Sequence, residues 1–317
     1  MKTKQIGTTD LRIPPIAFGC NVLGWTMDKK QSFRVLDELY EMGFNYMDTA
    51  DVYSRWVDGH EGGESERILG AWMKERGLRD RIIVATKVGM DVGQGHIDLS
   101  RQHINKQIDK SLENLQTDYV DIYFSHRHDE NTAVENVLET YADLIKQGKI
   151  RHIGASSFPL DTFKEAIQLS KEKSLPKYQV YQPEYSLLKR TDFENGYQEF
   201  VMKNNVAITN YWALANGFLT GKYESVEDIK GSSREKNLKK YFDDRGKRVL
   251  KALKKVSDES GISQAGVTIA WTMAQPGITA PIVSATKISQ LEAFKEAASH
   301  ELSQELLDLL NEASDGE

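Results

Sequence analysis

Four residues of this chain have types that together can move a proton. Asp48 and Tyr53 stand in "NYMDTADVY" (45–53), Lys87 in "ATKVG" (85–89) and His126 in "FSHRHD" (124–129). A tyrosine titrates near pH 10, too high for easy proton exchange at neutral pH. A lysine cation beside the phenol favours phenolate and lowers that value. A carboxylate beside the lysine holds its charge and orientation, and a histidine can bond a substrate oxygen. Such a set suits protonation of a carbonyl oxygen while something else attacks its carbon. Singly, each residue has a plainer reading: Lys87 as a surface lysine, His126 as a structural histidine, Asp48 as a loop cap.

The elements that must position them form an alternating pattern. Eight short apolar segments read as strands: 16–20, 45–50, 82–88, 119–126, 150–157, 178–185, 207–214 and 280–286. Several are rich in Ile, Val and Tyr without strict alternation, as strands covered on both faces should be. Amphipathic segments at 32–43, 100–116, 133–148, 161–173, 263–277 and 301–314 read as helices. Ser100 is placed as an N-cap, and Gly43 as a helix stop. The 263–277 segment is more apolar and so more buried.

The alternation predicts an α/β fold, a (β/α)8 TIM barrel, with a doubly wound open sheet as the competitor. "GTTD" (7–10) predicts an N-terminal β-hairpin, and 301–314 an extra C-terminal helix. The polar stretch 220–246 fits neither strand nor helix, and its charge and Gly-Ser content suggest a mobile cover. No Pro or Ser tract divides residues 1–317, so one domain is expected. In such barrels the site lies at the C-terminal strand ends. Asp48, Lys87, His126, Ser156, Ser157, Gln182, Tyr185, Asn210, Tyr211 and Trp212 all fall at or near those ends.

Composition narrows the classes. The 317 residues are 39% hydrophobic and 28% charged, with net charge −6 and pI about 5.8. That balance offers no basic stripe for nucleic acid and no polybasic membrane patch. A lone cysteine, Cys20, excludes an intrachain disulfide and points to a reducing compartment. No signal-like apolar run opens the chain and no stretch reaches transmembrane length. A cytoplasmic protein without a metal site is expected.

The motifs together resemble the aldo-keto reductase superfamily, in the bacterial branch related to potassium-channel β subunits. "GFNYMDTADVY" (43–53), "GESERILG" (63–70), "ATKVG", "HIGASSF" (152–158) and "GFLTGKY" (217–223) follow the family order across nearly the whole chain. The resemblance implies an NADPH-dependent reductase of small carbonyl compounds, without a Rossmann domain. It implies Tyr53 as general acid and base, Lys87 as its cationic partner, Asp48 as the brace and His126 as the carbonyl-orienting group. It places Ser156, Ser157 and Gln182 at the nicotinamide carboxamide, and Tyr211 with Trp212 against the ring. Leu214, Gly217, Leu219, Gly221 and Lys222 fall at the pyrophosphate loop. Ser284, Thr286 and Gln290 fall at the adenosine 2′-phosphate, where Lys287 can add charge.

Several positions depart from the family pattern. Ser157 replaces a usual Asn, Trp212 a usual Ser, and Thr286 a frequent Arg or Lys. Ala293 and Phe294 replace the adenine-side Glu-Asn pair. Trp25, Trp56 and His128, with His60 beside them, are the candidate substrate contacts. Two other functions fit parts of the pattern. One is a cofactor-sensing binding protein of the same fold with little turnover. The other is a Schiff-base lyase using Lys87, which would want that lysine unpaired.

Overall fold

The computed structural model describes residues 2–232 and 234–316; residues 1, 233 and 317 of the predicted spans lie outside the described residues. The chain starts with a hairpin, β1 (Lys4–Gln5) paired antiparallel with β2 (Arg12–Ile13). Eight parallel strands follow: β3 (Ala17–Gly19), β4 (Tyr46–Asp48), β5 (Ile83–Val88), β6 (Val120–Ser125), β7 (Ile150–Ser156), β8 (Tyr178–Gln182), β9 (Ala207–Ile208) and β10 (Ile282–Val283). They run in the order β10-β3-β4-β5-β6-β7-β8-β9. The ends of this row meet: Thr279 and Ala280 N–H donate to the Ile208 carbonyl, and Ile282 N–H to Asn210. The expected α/β barrel is therefore the observed fold.

The interior fills with a mixture of small and large side chains. Ala17, Ala85, Ala207 and Ala280 pack with Tyr46, Ile122, Phe124 and Val180, all buried. Ile6, Leu11 and Ile13 of the hairpin pack onto this layer and close the bottom of the barrel. The floor is also tied by charge. Asp121, nearly buried, accepts from Arg79, Arg151 and the Val84 N–H, each at 2.9 Å. Arg151 reaches on to Asp10 of the hairpin turn at 2.8 Å.

The predicted helices form as Lys29–Glu41, Arg101–Leu115, Val134–Lys146, Leu160–Glu172, Gln264–Ala274 and Gln304–Ser314. Ser100 does cap its helix, accepting from His103 N–H. Two long helices lie outside the predicted set, Glu64–Arg76 and Asp244–Ser260. Both are charge-rich. The first sits between Gly63 and Gly77, both at positive φ, with Glu64 and Glu66 in its first turn.

Every barrel strand is trimmed relative to its expected span, and β8, β9 and β10 stop the furthest short at their C-terminal ends. β8 stops before Pro183, which has no N–H to continue a ladder. β9 ends at Ile208 because the chain then turns through positive φ at Trp212, Ala215 and Asn216. β10 is confined between Pro281 and Ser284. The stretch 220–246 is built of short helical turns, not a plain loop. Ile229 and Leu238 are buried, while Tyr241 and Phe242 pack on Phe218 at 5.5 and 5.1 Å. Among the described residues no helix is long and apolar enough to cross a membrane.

Replacing Asp121 by Ala leaves two guanidinium groups and a strand N–H without their shared acceptor. The expected loss is about 3 kcal/mol of unfolding free energy, read by thermal or urea melts. A loss no larger than that of an exposed Asp→Ala control would show that the floor pairs are dispensable.

Candidate functional site

At the upper end of β5, Lys87 points into the barrel mouth with its ammonium fully buried. Its Nζ donates to Asp48 Oδ1 at 2.6 Å, to the Thr49 carbonyl at 2.7 Å and to the Tyr53 hydroxyl at 3.2 Å. Asp48 closes β4, and its second oxygen accepts from Gln182 Nε2 at 2.9 Å. The turn after β4 is held from behind by the helix Glu64–Arg76. Ser65 and Thr49 hydroxyls lie 2.8 Å apart, and Ser65 Oγ donates to the Cys20 carbonyl at 2.7 Å. Glu66, also buried, accepts from Thr86 Oγ1 at 2.6 Å and Asn114 Nδ2 at 3.1 Å. These bonds fix the turn that carries Tyr53.

Electrostatics set the protonation states. Burial would strip the proton from Lys87, but Asp48 and the Tyr53 oxygen reverse that and raise its pKa. Burial pushes the Tyr53 phenol up to about 12, although Lys87 pulls it down. The sequence expectation of a lowered tyrosine pKa thus holds for the lysine's contribution and not for the sum. His126 is held well below the usual imidazole range by burial, with Lys87 and Arg127 adding to the effect. Its ring centroid lies 6.1 Å from that of Tyr53, and its buried Nδ1 has no hydrogen-bond partner among the described residues. Cys20 is buried beside Asp48 and Lys87, and burial pushes its thiol well up.

The nucleotide-side candidates divide into two kinds. Ser156 Oγ donates to the Gln182 carbonyl at 3.0 Å, and the Ser157 and Tyr211 hydroxyls lie 3.2 Å apart. Ser157, Trp212, Asn216, Gly217 and Gly221 all have positive φ, which bends the strand ends into a cradle. A Cβ on Gly221 would collide with the Gln264 amide, whose buried Oε1 has no partner among the described residues. Lys222 Nζ comes within 3.3 Å of where a Gly217 Cβ would sit. A tight positive-φ turn rimmed by an ammonium suits an anionic group. Leu214 is half-buried, but the Leu219 side chain lies in the core, and the Leu219 N–H donates to the Leu214 carbonyl at 3.3 Å.

Further along the rim, Ser284 Oγ lies 2.8 Å from the Gly19 carbonyl and 2.7 Å from Asn21 Oδ1. Gln290 Oε1 accepts from Thr286 N–H at 2.7 Å and Lys287 N–H at 3.2 Å. These polar groups are engaged within the chain itself.

The substrate-side candidates form an aromatic run. Tyr53 meets Trp56 edge-on at 6.1 Å, and Trp56 meets Trp25 at 5.4 Å. His60 binds the Ser54 carbonyl and, with Trp25, lines a cavity of about 460 Å³. His128 packs against Phe158 at 5.4 Å, and no direct contact joins it to Tyr53 among the described residues. Trp212 is 43% exposed, which rules out core packing. Tyr185 belongs to the core, stacked on Trp271 at 5.7 Å with its hydroxyl bonded to Glu194.

Sequence reading missed Arg234. This half-buried guanidinium from the 220–246 stretch sits 5.4 Å over the Trp25 ring and reaches the Asn216 carbonyl. Burial lowers its pKa. No motif marks it, because it stands in a charged tract where any arginine looks like surface.

A sequence model of the Aldo/keto reductase family matches residues 15–315, and the chain belongs to that family of oxidoreductases. The family acts on small carbonyl compounds with nicotinamide nucleotides. Among relatives, the uncharacterized oxidoreductase YrpG of Bacillus subtilis (strain 168) is 30% identical, over 100% of this chain and 97% of its own length. The aryl-alcohol dehydrogenase [NADP(+)] of Phanerodontia chrysosporium is 29% identical, over 95% of this chain and 83% of its own. A probable voltage-gated potassium channel subunit beta of Oryza sativa subsp. japonica is 32% identical, over 92% and 89%.

Two stability outcomes test the buried pair and the neutral imidazole. Lys87→Met strands the Asp48 carboxylate and is expected to cost about 3–5 kcal/mol. Adding Asp48→Asn should restore part of that; a purely additive double variant would show that the two are not coupled. His126 has a depressed folded pKa, so its contribution is present above the unfolded value near 6.5 and is lost as pH falls below it. His126→Gln should therefore flatten the decline in melting temperature between about pH 7.5 and pH 5. An unchanged decline would mean that the folded imidazole takes up its proton as freely as the unfolded one.

Proposed function

We propose that the protein reduces a small aldehyde or ketone to the alcohol, taking hydride from NADPH and the proton from Tyr53. The observation that carries this reading is the buried contact chain from Asp48 through Lys87 to the Tyr53 hydroxyl at the barrel mouth. Bound there, the reduced nicotinamide supplies hydride to the carbonyl carbon.

Everything else falls to the chain's own side chains. As the carbonyl oxygen gains negative charge, the Tyr53 O–H donates to it. A phenol held up to about 12 keeps its proton at neutral pH, ready for an oxygen that becomes more basic than itself. The Lys87 ammonium then faces the phenolate left behind, and Asp48 keeps that ammonium charged and aimed. A neutral His126 offers one N–H to the same oxygen. Trp25 and Trp56 wall the substrate side, with His128 farther out.

For the nucleotide, Ser156, Ser157 and Gln182 would meet the carboxamide, and Tyr211 the ring face, with Trp212 at its edge. Gln182 has its Nε2 committed to Asp48 and would use its Oε1. Leu214, Gly217, the Leu219 backbone, Gly221 and Lys222 form the cradle for the pyrophosphate. Ser284, Thr286 and Gln290 border the adenosine end. The whole of 1–317 acts as one domain, and the lone buried Cys20 supports work in a reducing compartment such as the cytoplasm. The likeness to a channel β subunit favours a second reading, a nucleotide-sensing module with little turnover.

Tyr53→Phe should lower carbonyl reduction by roughly 10²–10⁴-fold while NADPH still binds. The measurement is loss of cofactor absorbance with nitrobenzaldehyde and with methylglyoxal, alongside a fluorescence titration. Retained turnover would remove Tyr53 from the chemistry. Tight binding without turnover in the unaltered protein would favour the sensing module.

A further inference from the structure

A cleft of about 430 Å³ opens between the start of the helix Lys29–Glu41 and the turn after β10. Its walls carry Lys30 and Arg34 on the helix side and Lys287 on the other. All three are exposed, and none is in an ion pair among the described residues. Asp28 is the one carboxylate of the lining, and its Oδ1 accepts from Gln31 N–H at 2.8 Å as the helix cap. Gln31 in turn donates from Nε2 to the Thr286 carbonyl at 2.6 Å. That bond fixes helix and turn together, so the cations face one space.

The cleft carries an excess of positive charge. The helix opens on Lys29 and Lys30 with no acid in its first turn, and its Asp28 cap is the one carboxylate at that positive end. Lys29 is accounted for, since it covers the Phe33 ring at 5.2 Å. Lys30 and Arg34 are like charges one helical turn apart, which repel. A phosphate between them would relieve that repulsion. Meanwhile the polar groups of the 284–290 segment are engaged internally, through Ser284 to Gly19 and Asn21 and through Gln290 to the Thr286 and Lys287 backbone. They offer an anion little charge of their own.

We propose that this cleft takes the 2′-phosphate of NADPH, with Arg34 and Lys30 of the first long helix supplying the charge beside Lys287. The proposal rests on the barrel mouth being a nicotinamide-nucleotide site. It makes Arg34 the discriminator between NADPH and NADH, in place of the arginine or lysine that Thr286 displaces. A guanidinium can meet a phosphate with two parallel N–H donors, which an ammonium cannot.

The test is equilibrium fluorescence titration with NADPH and with NADH on the unaltered protein, on Lys30→Ala/Arg34→Ala and on Arg34→Glu. Circular dichroism checks that each remains folded. The expected result is NADPH affinity weakened about tenfold or more in the double variant, with NADH changed less than about twofold. Arg34→Glu should weaken NADPH further, and the stronger salt dependence of NADPH binding should vanish. Competition by 2′,5′-ADP against 5′-ADP should show the same split, without any turnover. Equal loss for both nucleotides, no loss for either, or unaltered protein that binds both alike would overturn the assignment. Unaltered protein that binds neither nucleotide would overturn the mouth reading itself, and this inference with it.

Discussion

The structure turns on one buried charge. Lys87 has its ammonium wholly out of water, where an unpaired cation would release its proton. Asp48 and the Thr49 carbonyl prevent that, and both come from the end of β4 and the turn beyond. The turn needs support in its own right, so Ser65 and Glu66 of the next helix reach back to Thr49, Thr86 and Asn114. The barrel gives every participant a rigid base, because adjacent parallel strands place their C-terminal ends side by side. Register β4 to β5 and β5 to β6 therefore decides whether Asp48, Lys87 and His126 meet. The fold and the site are parts of one electrostatic problem.

The Tyr53 phenol shows how opposing effects can be used together. Burial alone would leave it inert, and the lysine alone would pull its pKa below the ordinary value. The sum is a protonated hydroxyl that gives up its proton only to a strongly basic oxygen. The neighbouring imidazole is driven the other way and stays neutral. One low-dielectric pocket thereby holds three different groups in three useful states through geometry.

The sequence showed the barrel and the central four residues because both rest on signals that survive in one dimension. Apolar segments alternate with amphipathic ones, and Asp, Lys and His recur at the ends of successive strands. It did not show which way a side chain turns. Leu219 sits in the core and Ser284 bonds across to the first strand's end, facts that depend on partners far along the chain. Nor did it mark Arg234, since an arginine in a polar tract gains meaning only from what faces it. The stretch 220–246 read as loop because its anchors, Ile229, Leu238 and Phe242, are scattered among charges with no period. The helices Glu64–Arg76 and Asp244–Ser260 escaped for a like reason, their apolar faces being diluted by acids and bases.

Cys20 gives this architecture a built-in reporter. It is the only thiol in the chain, it lies under the first loop beside Asp48 and Lys87, and burial keeps it protonated and unreactive. Alkylation of the native protein must wait for an opening that exposes Cys20. The rate at which a thiol reagent consumes Cys20 therefore counts the openings of its surroundings. A ligand that settles over the mouth should lengthen the interval between them.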